Sequence, residues 1–592
     1  MLILTSRFMA YFPDPASAGS EEILRFEQGV KMAGLKLVSK APFLFACETQ
    51  QPDLSFHPEP PVVFDVFPGT AASRPHFSID PAQPDWPAWH LAADREAQFY
   101  NLMQLDAEAF RLESDFLGLK PFYLARLAQG MVLASRITDL IQAFPDLAAP
   151  YDALGLLELM ITGSPYADRT LHAKIKRAAT GACFRWSPQE GMRITRERRF
   201  KSPAADPTIG MDTAIERSNN AIKSSLKERC HGVALPAALA LTGGFDSRIL
   251  GACAKESGVP FKTFTYGHSY HQEVVVAKLI GEALGTRPEI LPFPSNGLIE
   301  RLPFHLETIE AQADLPVGVI ANLLSIQGEM GMPLLNGFVV GEAVGGRLNK
   351  LQDNQFSDLD TLAEGIANRL GEHPTMELLC STLKISQNTF RDEIRRELIE
   401  DIHPYQALLV WDMENCERRY IASHFQILGS RFHVIAPYYS RGVINTFLSL
   451  PKAILDNRLL YRQLMVAKYP EMAKIPHCEE TLPILPNLNT QLRLFIRSLP
   501  RKILSNRLSR RILYRGDSDK IWSSAFGVTP QQEEFMMSRI KVLKSNSEDL
   551  LGLPDLSPLI QPGKRNRSDI HKLFMLFEYA AWLPKPKRAG HE

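Results

Sequence analysis

The sequence predicts an α/β protein with a parallel sheet in its middle part, and three observations predict it. Between Met211 and Leu291 short apolar runs alternate with helical patterns, with glycines between them. Strands and helices alternating at that spacing make a parallel sheet with crossover helices. Residues 1–200 read instead as strands, turns and a few helices, and from about residue 300 onward the pattern is mostly helical.

The elements follow in chain order. Pro52–Asp85 carries Pro58, Pro60, Pro61, Pro68, Pro75, Pro81 and Pro84, so no long helix fits and edge strands and loops are expected. Phe122–Leu124 and Met131–Ala134 read as two short strands joined by a turn at Gln129-Gly130. The polar stretch Lys201–Pro207 suits a linker, which places the main boundary there. Three domains are expected, over 1–205, 206–480 and 481–592.

Met211–Glu228 has helical periodicity. Ala234–Leu241 is an apolar run long enough for a buried strand, and Thr242–Ser247 is a loop containing glycine. Arg248–Ser257 is a helix closed by Gly258, Phe261–Tyr266 a strand, His271–Leu284 a helix closed by Gly285, and Glu289–Leu291 starts a third strand. Far downstream, Arg493–Lys520 interleaves basic and apolar residues, the pattern of a solvated helix face with its apolar side packed.

Composition bounds the function. The 592 residues carry 66 Lys+Arg against 66 Asp+Glu, so no global field would draw the chain to nucleic acid. Apolar residues are 45% and charged residues 22%, an ordinary globular balance that excludes a disordered or disulfide-built chain. Seven cysteines are widely spaced with no C-x-x-C pair, which fits a reducing compartment. There is no signal-peptide pattern at Met1–Phe12 and no apolar run near 18 residues, so a cytoplasmic protein without a transmembrane segment is expected.

The informative string is Leu241-Thr242-Gly243-Gly244-Phe245-Asp246-Ser247-Arg248, after a buried strand and opening a helix. A helix N-terminus offers unpaired N–H groups and the positive end of its dipole. Gly243 and Gly244 let the backbone approach an anion, and Thr242 and Ser247 add hydroxyls. A carboxylate beside phosphate needs a bridging cation, so Asp246 points to Mg²⁺.

This string resembles the S-G-G-x-D-S pyrophosphate loop of the asparagine synthetase family, with Thr242 for the first serine. Further likeness lies in Tyr266-Gly267 followed by Glu273, in Leu335-Asn336-Gly337 through Gly345-Gly346, in Glu417-Arg418-Arg419-Tyr420, in Ile435-Ala436-Pro437-Tyr438-Tyr439 and in Tyr461-Arg462. Gly341-Glu342 stands where the family has the acid for a second magnesium, so the resemblance implies Glu342 as that ligand. Ser114–Tyr123, Leu133–Arg136 and Asp168–Gly181 are similar to the family's glutaminase domain, whose nucleophile is a cysteine exposed at residue 1; Leu2 follows Met1 here, so a degenerate glutaminase scaffold is expected.

The resemblance implies a fold: an Ntn-like α+β sandwich, then a parallel-sheet α/β ATP-pyrophosphatase domain, then a helical C-terminal part. It also implies ATP-dependent amide-bond formation, in which a carboxylate is adenylated with pyrophosphate release and attacked by an amine, as in the β-lactam synthetases and lasso-peptide cyclases. Two alternatives stand beside it, an amidotransferase modifying a sugar, polysaccharide or aspartate with ammonia, and a non-catalytic ATP-binding protein. ATP and Mg²⁺ are the implied cofactors, held by Thr242, Gly243, Gly244, Asp246, Ser247, Tyr266, Gly267 and Gly337, with Asp246 and Glu342 on the metal. Such chemistry is often aided by a lysine, and Lys474 is the candidate. The expected partners are a carboxylate-bearing small molecule or peptide, with a peptide precursor or partner enzyme, and no nucleic acid.

Overall fold

The computed structural model describes residues 2–14, 20–39, 43–48, 62–73, 85–106, 109–196, 202–234, 236–267, 272–291, 297–338, 345–478, 484–485, 530–561 and 567–584. Glu342 and the basic stretch 493–520 lie outside the described residues.

Twelve strands of the first 195 residues form two six-stranded sheets. One runs in the order β1 (Leu2–Thr5), β5 (Val62–Val66), β6 (Tyr100–Leu105), β7 (Phe110–Ser114), β11 (Cys183–Ser187), β12 (Gly191–Thr195). The other runs β10 (Ile175–Arg177), β8 (Tyr123–Arg126), β9 (Gly130–Ala134), β2 (Phe8–Pro13), β4 (Leu44–Cys47), β3 (Lys36–Ser39). Alternate residues of a strand face one way, and here they meet between the sheets: Phe8, Ala10 and Phe12 of β2 share a core with Met103 and Leu105 of β6, Phe110 and Leu112 of β7, and Phe184 and Trp186 of β11. Aromatic rings dominate that seam, with Phe12 centred 4.6 Å from Phe110 and 5.7 Å from Trp186.

The β8–β9 hairpin is the one the sequence predicts around Gln129-Gly130, with Tyr123 opposite Ala134. The proline-rich stretch differs from expectation. Val62–Val66 is an interior strand, paired with β1 on one side and β6 on the other, and Pro68–Ser73 is a short helix. The prolines stop short of Val62-Val63-Phe64-Asp65-Val66, so every residue of that run keeps an N–H for the ladder.

The third sheet is wholly parallel, in the order β15 (Glu289–Leu291), β14 (Phe261–Tyr266), β13 (Ala237–Ala240), β16 (Pro333–Leu335), β17 (His433–Ile435). The strand order turns back at β13, with β14 on one side and β16 on the other, and such switch points are where α/β sheets bind ligands beyond the strands' carboxyl ends. The helices Met211–Cys230, Asp246–Glu256 and Gln272–Leu284 match the predicted elements within a few residues. Helices dominate the rest, ending in the pair Pro530–Leu551 and Arg567–Trp582. No helix among the described residues is long and apolar enough to cross a membrane.

The sandwich and the parallel-sheet part meet through buried polar groups, not apolar contact alone. Arg418 and Arg419 leave a widened helical turn over Met413–Tyr420; Arg418 donates to the carbonyls of Gly118 and Ala178, and Arg419 to that of Arg169 at 2.7 Å. In return the Glu310 carboxylate accepts the Ile137 and Thr138 N–H groups at 2.9 and 2.8 Å. Gln98 grips Ala436, donating to its carbonyl and accepting from its N–H.

Candidate functional site

The loop Thr242–Ser247 leaves β13 at the carboxyl end of the parallel sheet and runs into the helix Asp246–Glu256. Its shape is set by its own hydroxyls. Thr242 N–H donates to Ser247 Oγ at 3.0 Å, the two hydroxyls lie 3.1 Å apart, and Gly244 N–H donates to Thr242 Oγ1 at 3.3 Å. No side chain caps this helix. Its first N–H groups therefore stay available, together with the positive end of its dipole.

Two glycines are required by crowding. A Cβ on Gly337 would lie 2.8 Å from Ser247 Cα, so the chain leaving β16 passes against the loop only as glycine. A Cβ on Gly243 would lie 2.5 Å from Cys478 Cβ. Behind the loop, Arg248 is fully buried and donates to the carbonyls of Gly243, Met472, Ile475 and Pro476, which ties segment 472–476 to the turn. Burial pulls its guanidinium down to about 10.

Thr242, Asp246, Ser247, Tyr266 and Gly337, five of the predicted residues, line one cleft with Ile320, Asn336 and Phe338. Gly243 and Gly244 lie within the loop, and Gly267 follows β14 directly with φ +124°, its N–H on the Leu291 carbonyl. The cavity measures about 80 Å³. Small-molecule pockets span about 300–1,000 Å³, so a nucleotide enters only if the walls part. Phe338, 37% exposed, is one wall.

Asp246 opens the helix that follows the loop. The residue is half-buried, its covered oxygen Oδ1 has no hydrogen-bond partner among the described residues, and desolvation raises the carboxyl to about 6, with the Arg458 guanidinium pulling the other way. Its backbone carbonyl accepts from Tyr438 OH at 3.1 Å, which fixes the residue from the backbone side and leaves the carboxylate open. An orphaned carboxylate oxygen beside uncapped helix N–H groups suits a hard cation carrying phosphate oxygens.

Lys474 is not brought to the cleft. It lies just past the helix Pro470–Ala473, its side chain 51% exposed and its ammonium 2.6 Å from Glu471, while its neighbours Met472 and Ile475 hold Arg248. Glu342 lies outside the described residues. Sequence reading missed Arg248, the clamp adjoining the motif, and the Asn336–His424 pair. His424 Nδ1–H donates to the Ile421 carbonyl, so Nε2 accepts from Asn336 Nδ2 at 3.1 Å, while Asn336 Oδ1 accepts the Phe338 N–H. Burial lowers His424 to about 4, so it stays neutral. Only the arginine had a visible signal, as a charge directly before the apolar run Ile249–Ala254.

Comparison with known proteins agrees with this geometry. Residues 219–325 match the asparagine synthase family, a stretch that holds the loop, β13, β14 and β15. Over 174 residues the chain is 28% identical to the glutamine-hydrolyzing asparagine synthetase 1 of Bacillus subtilis (strain 168), a match covering 29% of this chain and 27% of that relative. Residues 219–325, which carry the Thr242–Ser247 loop at the switch point, are thus similar to the asparagine synthase family.

Proposed function

We propose that this chain is an ATP-dependent carbon–nitrogen ligase that adenylates a substrate carboxylate, releases pyrophosphate, and passes the activated acyl group to an amine. The observation that carries the reading is Asp246, a half-buried carboxylate whose covered oxygen has no partner among the described residues, at the uncapped start of a helix inside the segment that matches the asparagine synthase family.

In this reading the loop N–H groups and the Thr242 and Ser247 hydroxyls hold the pyrophosphate portion of ATP, and Gly243 and Gly337 give the phosphates their close approach. Tyr266, at the end of β14, and Asn336, locked by His424, shape the nucleotide side of the cleft. Asp246 supplies one oxygen ligand to Mg²⁺, with Glu342 proposed as a second. When bound, Mg²⁺ neutralises charge that builds on the departing phosphate oxygens.

The amine is proposed to come from the substrate, from free ammonia or from a partner. Both cysteines of the sandwich are buried, and burial beside Asp65 pushes the Cys47 thiol up to about 12. A thiol held up in this way is a poor nucleophile toward glutamine, which supports a source of the amine other than the sandwich.

The test is pyrophosphate release from Mg·ATP by the purified chain against a panel of small acids and peptides. Release dependent on one acid class, with AMP formed in equal amount, supports the reading. ADP and phosphate as products, or no acid-dependent release, would overturn it.

A further inference from the structure

A second, much larger cavity of about 830 Å³ opens beside the loop, where the sandwich meets the parallel-sheet part. Among the described residues its lining includes Arg347, Lys350, Arg369, Arg458 and Arg462, and no Asp or Glu. Arg347 is balanced by the buried Asp412, 3.0 Å away. Lys350, Arg369 and Arg458 make no ion pair with any carboxylate among the described residues. Like charges gathered around one hollow repel one another, and an arrangement of this kind is relieved by a bound anion. Guanidinium forks also fit carboxylate and phosphate oxygens in pairs.

The hollow is joined to the nucleotide loop by two of its own arginines. Arg462 lies over the Phe245 ring of the loop, 5.2 Å from its centre, and the charge of Arg458 reaches Asp246. Arg458 sits on a turn where Asn457 and Arg458 both take left-handed φ, +53° and +55°, with Asn457 Oδ1 accepting from Asn349 at 2.8 Å. Side-chain-bearing residues held in that region are strained, and strain of this kind gathers at ligand-binding places. Thr162 and Tyr166 of the sandwich complete the wall.

We propose that this cavity seats the acid to be activated, and that this acid carries a second anionic group, carboxylate or phosphate, held by Lys350, Arg369 and Arg458. The proposal rests on the ligase reading above and deepens it by naming a class of acceptor. It also gives the sandwich a part in the site that needs no glutamine chemistry, since Thr162 and Tyr166 close the pocket from that side.

The experiment is calorimetric binding to the full chain, with and without a non-hydrolysable ATP analogue, using three probes. These are propane-1,2,3-tricarboxylate, 3-phosphoglycerate and butyrate. At least one of the first two should bind tenfold or more tightly than butyrate, and whichever does tells carboxylate from phosphate as the second group. Lys350→Gln and Arg369→Gln should each weaken that binding about tenfold and leave the affinity for the ATP analogue unchanged, which also shows that they fold. Equal binding of all three probes, no binding, or binding unmoved in both variants would overturn the proposal. So would displacement of the ATP analogue by the preferred probe, which would make the hollow a nucleotide-phosphate subsite. Because the readout is binding, it stays informative if pyrophosphate release fails, and the two readings can fail separately.

Discussion

The carboxylates of the sandwich core and the one on the Thr242–Ser247 loop are treated differently. Among the described residues of the sandwich each buried acid is partnered. Asp65 meets Lys120 Nζ at 3.1 Å and Asn101 Nδ2 at 2.8 Å, Glu113 pairs with His90 and Arg111, and Asp115 accepts the N–H groups of Leu117, Leu119 and Lys120. Beside the loop, Asp246 is half-buried, and its covered oxygen Oδ1 has no hydrogen-bond partner among the described residues. Burying a charge without a partner costs stability. The sandwich therefore uses its acids as structure, while the loop carries one whose covered oxygen no described group satisfies.

This contrast can be broken at four points. The largest effect is expected in the sandwich. Asp65→Ala leaves the Lys120 ammonium buried without its counter-charge, and should cost about 3–5 kcal/mol of unfolding free energy. Urea melts of the two proteins measure it. A cost under about 1 kcal/mol would mean that the pair is not structural. Next comes Asp246→Ala, which should keep the fold and lower acid-dependent pyrophosphate release by about 10²–10³-fold, roughly 3–4 kcal/mol of transition-state stabilisation. Near-normal turnover would remove Asp246 from the chemistry.

The third point is pH. An ordinary Asp carboxyl titrates at about 3.9, and burial raises Asp246 to about 6 in the folded chain. The folded state then binds the proton more tightly than the unfolded one. Stability from this group is present below pH 4 and is lost as pH rises through about 6. Two units correspond to about 3 kcal/mol at most. In metal-free buffer, Asp246→Asn should equal the wild type near pH 4 and exceed it in melting temperature at pH 7.5. An Asp246→Asn protein less stable than wild type at pH 7.5 would show that the carboxylate has a structural partner.

How much of this was legible follows the range of each interaction. The strand-loop-helix order around Thr242–Ser247 was readable because it is local: apolar run, glycines, hydroxyls and acid follow one another within about a dozen residues. Phe261–Tyr266 was placed to the residue for the same reason. Val62–Val66 was misread as an edge because edge or interior depends on which strands arrive on either side, and here those are Leu2–Thr5 and Tyr100–Leu105 from distant parts of the chain. The basic hollow was invisible for that reason too. Its cations are spread from Arg347 to Arg462, and only the folded chain gathers them with Thr162 and Tyr166.

Lys474 is the smallest effect and the sharpest check on the difference between chain proximity and spatial proximity. It stands two residues from Met472 and one from Ile475, both of which hold Arg248 under the loop, so along the chain it belongs to the site. In space its ammonium points to Glu471 at 2.6 Å with half its surface in water. An exposed pair of that kind contributes about 0.2–1 kcal/mol. Lys474→Ala should therefore change acid-dependent pyrophosphate release by less than tenfold and leave the urea midpoint nearly unmoved. A loss comparable to that of Asp246→Ala would show that segment 472–478 swings during turnover and carries the ammonium into the cleft. The clamp at Arg248 would then be the hinge on which that movement turns.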